Sequence, residues 1–163
     1  MENNQSIFET ICRLREEEPG LPYRFQDERT AGQKDVLYVL ASEGIPFWRK
    51  EDLAKECCGI LKDLVNKEDT ILTDPVLRHF LEHYPICSYF IELRERVRIT
   101  LEAETSSRER LFHLGMRLAR SGTDPEQVKL GIILLGFFPY DTTKQIMRVL
   151  GYHSEYTLYV LES

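Results

Sequence analysis

The sequence lacks a long hydrophobic run, and this absence excludes a membrane-spanning helix. The longest uninterrupted apolar stretch, residues 131–138, is far shorter than the roughly 20 residues that cross a bilayer. The first six residues have neither the basic start nor the apolar segment of a secretory signal. We therefore expect a cytoplasmic protein that makes no contact with a membrane.

The sequence also lacks the short motifs of common enzyme chemistries. It contains no phosphate-binding glycine loop and no G-x-S-x-G nucleophile motif, and we expect no two carboxylates in an apolar setting that would split their pKa values. Its four cysteines (12, 57, 58 and 87) do not have the spacing of a zinc finger, so we interpret them as reduced, packed thiols. These absences predict a protein that is not an enzyme and has no cofactor.

Positive charge is in short supply, since 21 Lys and Arg residues face 27 Asp and Glu residues, a net charge of −6. The imbalance lies in residues 1–82, which hold 11 basic and 17 acidic side chains, whereas residues 83–163 hold ten of each. Such a chain repels a phosphate backbone, so we expect no nucleic-acid binding. An acidic surface is suited to a basic protein partner.

Apolar residues recur with helical spacing through most of the chain and nowhere alternate with period two for long. The pattern predicts an all-α fold of about nine helices, packed as antiparallel hairpins because the connections are short. The length favours one domain over residues 1–163, and any subdivision falls near residues 70–74. Residues 156–161 are compatible with helix or strand, and we assign them to a helix.

Capping residues define several helix ends. Thr-Asp-Pro occurs at 73–75 and again at 123–125, where Asp is the expected N-cap and Pro the first helical residue. Residues 106–109 have capping-box spacing, Gly122 is an expected C-cap, and Ser154 is the expected cap of the last helix. The helix after Asp124 is apolar on nearly every face, which predicts a central position in the fold. Other helices are expected near 6–18, 31–43, 50–66, 74–84, 86–103 and 141–151.

Two C-terminal stretches carry a resemblance, Arg108–Phe138 and Leu150–Val160. They resemble the HEAT-like helical segments of uncharacterised bacterial proteins, some of which are thought to serve as immunity or regulatory partners. The two Thr-Asp-Pro copies are 50 residues apart, which is near the roughly 40–47-residue period of such arrays. The resemblance implies an all-α binding module with α-solenoid character towards the C-terminus, and it transfers no functional residues.

His79, Glu82 and His83 have the H-x-x-E-H form of inverted zinc proteases. On a helix, two histidines four residues apart share a face and can bind one metal ion, while the glutamate could act as a base on bound water. His79 and His83 are therefore candidate metal ligands, and metal-dependent hydrolysis is an alternative function. The helix pattern places both histidines on the solvent face, which favours a plain surface or a bound stray ion over an enzyme.

Residues 35–64 resemble the first helices of a helix-turn-helix, which makes a transcriptional regulator a second alternative. The surface that would read DNA is mixed in sign, so an ordinary helical hairpin is the preferred interpretation. Seven arginines between 94 and 120 are interleaved with glutamates, and we expect most of them to form pairs within helices. A patch that binds an acidic ligand is the alternative.

Four aromatic residues lie beside turn-forming prolines: Tyr23, Phe25, Phe47 and Trp48. Aromatic side chains outside regular helix either fill the core or anchor a partner, and the first role is the commoner. We keep all four as candidate partner-binding residues. The sequence as a whole favours a non-enzymatic interaction module, of the inhibitor or immunity type, that binds a basic protein.

Overall fold

The structure is a computed structural model that describes residues 5–17, 45–103 and 105–163. In these ranges the chain forms eight α-helices and three 3₁₀ turns and contains no strand, so the predicted all-α fold is confirmed. The helix expected near 31–43 lies outside the described residues. The helices are α1 (Ile7–Glu17), α2 (Phe47–Leu64), α3 (Pro75–His83), α4 (Phe90–Ala103), α5 (Arg108–Ser121), α6 (Pro125–Leu135), α7 (Asp141–Leu150) and α8 (Ser154–Glu162).

The two Thr-Asp-Pro segments begin helices as predicted. The Asp74 carboxylate accepts hydrogen bonds from the backbone N–H groups of Val76 and Leu77, at 3.0 and 2.9 Å. Asp124 does the same at the start of α6. Each carboxylate satisfies N–H groups that have no partner inside the helix, which fixes where α3 and α6 begin.

Helix α2 begins earlier than predicted. It starts at Phe47, because Pro46 has extended backbone angles at the N-cap and its carbonyl accepts from the N–H groups of Arg49 and Lys50. A proline before the first turn leaves no unsatisfied donor of its own. Phe47 and Trp48 therefore belong to a helix, and their prediction as loop residues is wrong.

The capping box predicted at residues 106–109 and the cap predicted at Ser154 are wrong. Residues 105–107 form a 3₁₀ turn, and the Ser107 side chain that precedes α5 makes no capping hydrogen bond. The N-cap of α8 is His153 instead of Ser154, because its ring Nδ1 accepts from the N–H of Glu155 at 3.1 Å. Burial lowers the pKa of His153 to about 4, so the ring stays neutral near pH 7 and keeps the lone pair that caps the helix.

The segment expected to form one helix over 86–103 is divided in two. Residues 86–88 form a 3₁₀ turn in which the Ser88 hydroxyl donates to the Pro85 carbonyl at 2.7 Å. The backbone N–H of Ile86 donates to the carboxylate of Glu126 at 2.7 Å, which ties the turn to α6. Helix α4 then begins at Phe90.

Helix α6 lies at the centre, as its composition predicted. Every residue from Gln127 to Leu135 is buried, and the helix contacts α3, α4, α5 and α8. It packs against α5 at Gly131, where an added Cβ would overlap the backbone nitrogen of Ala119. The core also receives buried apolar side chains from all the other described helices. None of the described helices is both long and apolar enough to cross a membrane.

Candidate functional site

Helix α3 separates an apolar face from a histidine face. Leu77, Phe80 and Leu81 are buried in the core. His79, Glu82 and His83, here called the histidine cluster, are exposed on the other side. The predicted solvent exposure of the two histidines is therefore confirmed.

The histidine cluster brings three metal-ligating groups close together. One ligand atom from each of His79, Glu82 and His83 lies within 4.8 Å of the other two. In the described ranges this is the one group of three or more His, Cys, Asp or Glu side chains with that geometry. The imidazole rings of His79 and His83 have centroids 4.1 Å apart.

A backbone hydrogen bond orients His83. Its Nδ1 lies 2.8 Å from the carbonyl oxygen of His79. Because a carbonyl can only accept, Nδ1 carries the proton in this bond, and the lone pair of the neutral ring is on Nε2. This arrangement, with one ring nitrogen donating to a carbonyl, is typical of histidines that bind metal through the other nitrogen.

Two aromatic side chains project from the first turn of α2. Phe47 is 68% exposed and Trp48 is 64% exposed, so the preferred prediction, that these rings fill the core, is wrong. We call them the aromatic patch. Tyr23 and Phe25, the other two candidates for partner binding, lie outside the described residues.

The aromatic patch and the histidine cluster are joined through Arg49 and Tyr84. The Arg49 guanidinium donates to the Tyr84 hydroxyl at 3.3 Å and lies 5.5 Å from the centre of its ring. The Tyr84 ring is in turn 6.4 Å from the ring of His83, measured between centroids. The start of α2 and the end of α3 therefore form one side of the molecule.

A second cluster of charges is buried at the centre. Lys129 is 2% exposed, and its ammonium donates to Glu126 at 2.7 Å and also forms an ion pair with Glu155. The ammonium lies 5.5 Å from the centre of the Tyr159 ring. We call Lys129, Glu126 and Glu155 the lysine cluster. It joins α6 to α8, and a buried charge in this setting depends on its partners.

The lysine cluster is not predicted from the sequence. Glu126 and Glu155 lie in a largely buried setting, with side chains 20% and 13% exposed. The signal in the sequence is a lone lysine inside an apolar helix. Its second partner comes from another helix, and no local pattern reveals that pairing.

A cavity of about 260 Å³ lies between α2, α4 and α5. Leu61, Val97 and Leu111 form its apolar wall, and Cys58 and Arg110 also border it. Burial raises the pKa of the Cys58 thiol to about 11, so the thiol stays protonated near neutral pH. A protonated thiol is a poor nucleophile, so Cys58 gives this cavity no reactive group.

The cysteines conform to expectation, but the prediction that most of the seven arginines pair within helices is wrong. All four cysteines are free thiols, and burial raises the pKa of Cys57 strongly. Arg98 forms the predicted pairs within α4, at 2.6 Å to Glu95 and 2.5 Å to Glu102. Arg110 donates instead to the Asn66 side chain in the chain after α2, at 2.5 Å. Arg94 pairs with Glu162 of α8 at 4.0 Å, and Arg117 pairs with Asp69 of the 3₁₀ turn after α2 at 3.9 Å.

The residues of the predicted helix-turn-helix are described only in part, because 35–44 lie outside the described ranges. The remaining part is α2, whose exposed charges are mixed in sign: Lys55, Glu56, Lys62 and Asp63. Comparison with known proteins finds no matching family model, no matching curated protein and no matching solved structure.

Proposed function

We propose that this chain is a non-enzymatic, cytoplasmic protein-interaction module that binds a basic protein partner through the aromatic patch. The observation that carries the proposal is the exposure of Phe47 and Trp48, at 68% and 64%, on a helix whose opposite face is buried. Large aromatic side chains account for much of the binding energy in protein interfaces when a partner buries them.

The setting of the patch supports a preformed binding surface. Leu53, Ala54 and Cys57 hold α2 in the core, and Arg49 is held against Tyr84 at the end of α3. The helix that carries the aromatic rings therefore does not have to fold when the partner arrives. A preformed surface loses less conformational entropy on binding than a flexible one.

The charge distribution supports a basic partner. Residues 1–82 carry 11 basic and 17 acidic side chains. Exposed carboxylates follow the aromatic patch along α2 at Asp52 and Glu56, with Lys55 3.8 Å from Asp52. Glu82 is exposed on α3. An excess of acidic over basic side chains attracts a basic protein at long range and speeds its association.

An inhibitor or immunity role belongs to the same proposal, together with HEAT-like packing of the C-terminal helices as antiparallel hairpins. Such modules act by covering the surface of another protein, which requires no catalytic residue. The lack of a reactive thiol at Cys58 is consistent with this role.

The proposal is tested by affinity capture from native cells, followed by calorimetry with the purified partner. The double variant Phe47→Ala/Trp48→Ala should lose at least about 2 kcal/mol of binding free energy. The matched control is Leu161→Ala in α8, which shortens an apolar side chain that is 78% exposed. Equal affinity for the double variant and the wild type would refute the aromatic patch as the binding surface. Failure to capture any protein would refute the role as an interaction module.

The two alternative functions, metal-dependent hydrolysis and DNA binding by a transcriptional regulator, stay predictions. A hydrolase would need its metal and one bound water in a walled cleft shielded from bulk solvent, whereas the histidine cluster is exposed. A regulator would bind DNA with an affinity that falls as salt rises, and the net charge of −6 opposes that binding.

A further inference from the structure

We infer that His79, Glu82 and His83 form a binding site for a divalent transition-metal ion of the zinc type. The inference does not depend on the aromatic patch or on any partner. It stands on three features of α3: the spacing of the ligands, the orientation of His83 and the attachment of the helix to the core.

The ligand atoms are close enough to converge on one ion. Zinc binds imidazole nitrogen and carboxylate oxygen at about 2.0–2.2 Å, which places neighbouring ligand atoms roughly 3.3 Å apart in a tetrahedron. One ring nitrogen of each histidine and one carboxylate oxygen of Glu82 already lie within 4.8 Å of one another, and all three residues are exposed. Small side-chain rotations in solvent therefore close the remaining distance without moving the backbone.

The hydrogen bond from His83 to the His79 carbonyl reduces the conformational entropy that the His83 ring loses when it binds a metal ion. It leaves the Nε2 lone pair of His83 directed away from the helix backbone. Leu77, Phe80 and Leu81 hold the other face of α3 in the core, so the helix is a fixed support. A site on a fixed helix spends less binding energy on ordering its ligands.

The donor set determines the kind of ion. Two imidazoles and one carboxylate suit Zn²⁺, Ni²⁺ or Cu²⁺, whereas Mg²⁺ and Ca²⁺ prefer oxygen ligands alone. Three protein ligands leave at least one coordination position for water or another ligand. The site is therefore selective for nitrogen-preferring metals and is open on the solvent side.

The test is calorimetric titration of the metal-stripped chain of 163 residues with ZnCl₂ and, separately, with MgCl₂. We expect one Zn²⁺ per chain and no measurable binding of Mg²⁺. His79→Gln and His83→Gln should each weaken zinc binding at least tenfold. The matched control is His113→Gln, because His113 lies exposed on α5 beside one carboxylate, that of Glu109, which is 3.9 Å away and four residues before it.

Two further readouts distinguish loss of the site from loss of the fold. Circular dichroism of each variant checks that the helices persist, and NMR should show zinc-dependent shifts of the His79 and His83 ring resonances but not of His113. Undiminished zinc binding in the double variant His79→Gln/His83→Gln would overturn the inference. Equal binding of magnesium, or no zinc binding below millimolar concentration, would overturn it as well.

Discussion

The lysine cluster and the histidine cluster each bring three ionisable side chains together on helices, yet they differ in exposure. Lys129 is 2% exposed, and its carboxylate partners are largely buried. His79, Glu82 and His83 are all exposed on α3. The comparison separates ionisable side chains that hold the fold together from ionisable side chains that are available to a ligand.

The difference follows from the cost of removing a charge from water. In the interior, an ammonium without its carboxylates would be strongly unfavourable, so the cluster fixes how α6 and α8 pack. At the surface, water screens the same kinds of groups, and their contacts add little to stability. Substitutions should therefore change stability in one cluster and ligand binding in the other.

The largest effect is expected for Lys129→Met, which keeps the volume of the side chain and removes the cation. Glu126 and Glu155 are then left without the ammonium between them, and the free energy of unfolding should fall by about 3–5 kcal/mol. For a chain of this size the melting temperature should fall by roughly 6–20 °C, measured by thermal denaturation.

The matched control for this substitution is Lys144→Met on α7. Lys144 also has a carboxylate three residues before it, Asp141 at 3.6 Å, but the two side chains are 63% and 95% exposed. Its loss should cost at most about 1 kcal/mol. Equal effects of the two lysine substitutions would show that burial does not determine how much a lysine–carboxylate pair contributes to stability.

Leu134→Ala should have the next largest effect. Leu134 is fully buried in α6, and shortening a core leucine typically costs about 2–5 kcal/mol. His79→Ala, on the exposed face of α3, should change the melting temperature little. A larger loss of stability from His79→Ala than from Leu134→Ala would mean that His79 has a buried partner or a bound ion that contributes to folding.

The sequence predicts those features that depend on neighbouring residues. Asp74 and Asp124 are recognisable as caps because an N-cap bonds to N–H groups two and three residues away. The central position of α6 follows from its apolar composition. The pairing of Lys129 with Glu155 cannot be predicted in this way, because it exists only once α6 and α8 have packed together.

The candidate surface is predictable in part, for the same physical reason. The histidine cluster lies within one helical turn, so its spacing is visible in the sequence. The hydrogen bond from Arg49 to Tyr84 joins α2 to the end of α3, so it is not visible in the sequence. The exposure of Trp48 depends on which face of α2 meets the core, and the adjacent proline led to a loop prediction instead.

Gly131 in the tightly packed centre and Gly59 on the open surface of α2 can be compared by adding one methyl group to each. These substitutions are expected to have the smallest effects on stability. At Gly131 an added Cβ would overlap the backbone nitrogen of Ala119, so α5 and α6 would have to move apart. Gly131→Ala should therefore destabilise the protein by about 1–3 kcal/mol, the usual cost of overpacking. At Gly59, within α2, an added Cβ meets nothing within 4 Å.

Gly59→Ala should stabilise the protein by about 0.5–1 kcal/mol, because alanine in a helix loses less backbone entropy on folding than glycine does. The two substitutions add the same methyl group to a helical glycine, so they differ in what surrounds the added atom. Chemical denaturation of both variants measures their free energies of unfolding under the same conditions. We expect changes of opposite sign, and a loss of stability in both variants would mean that α2 is as closely surrounded as α6.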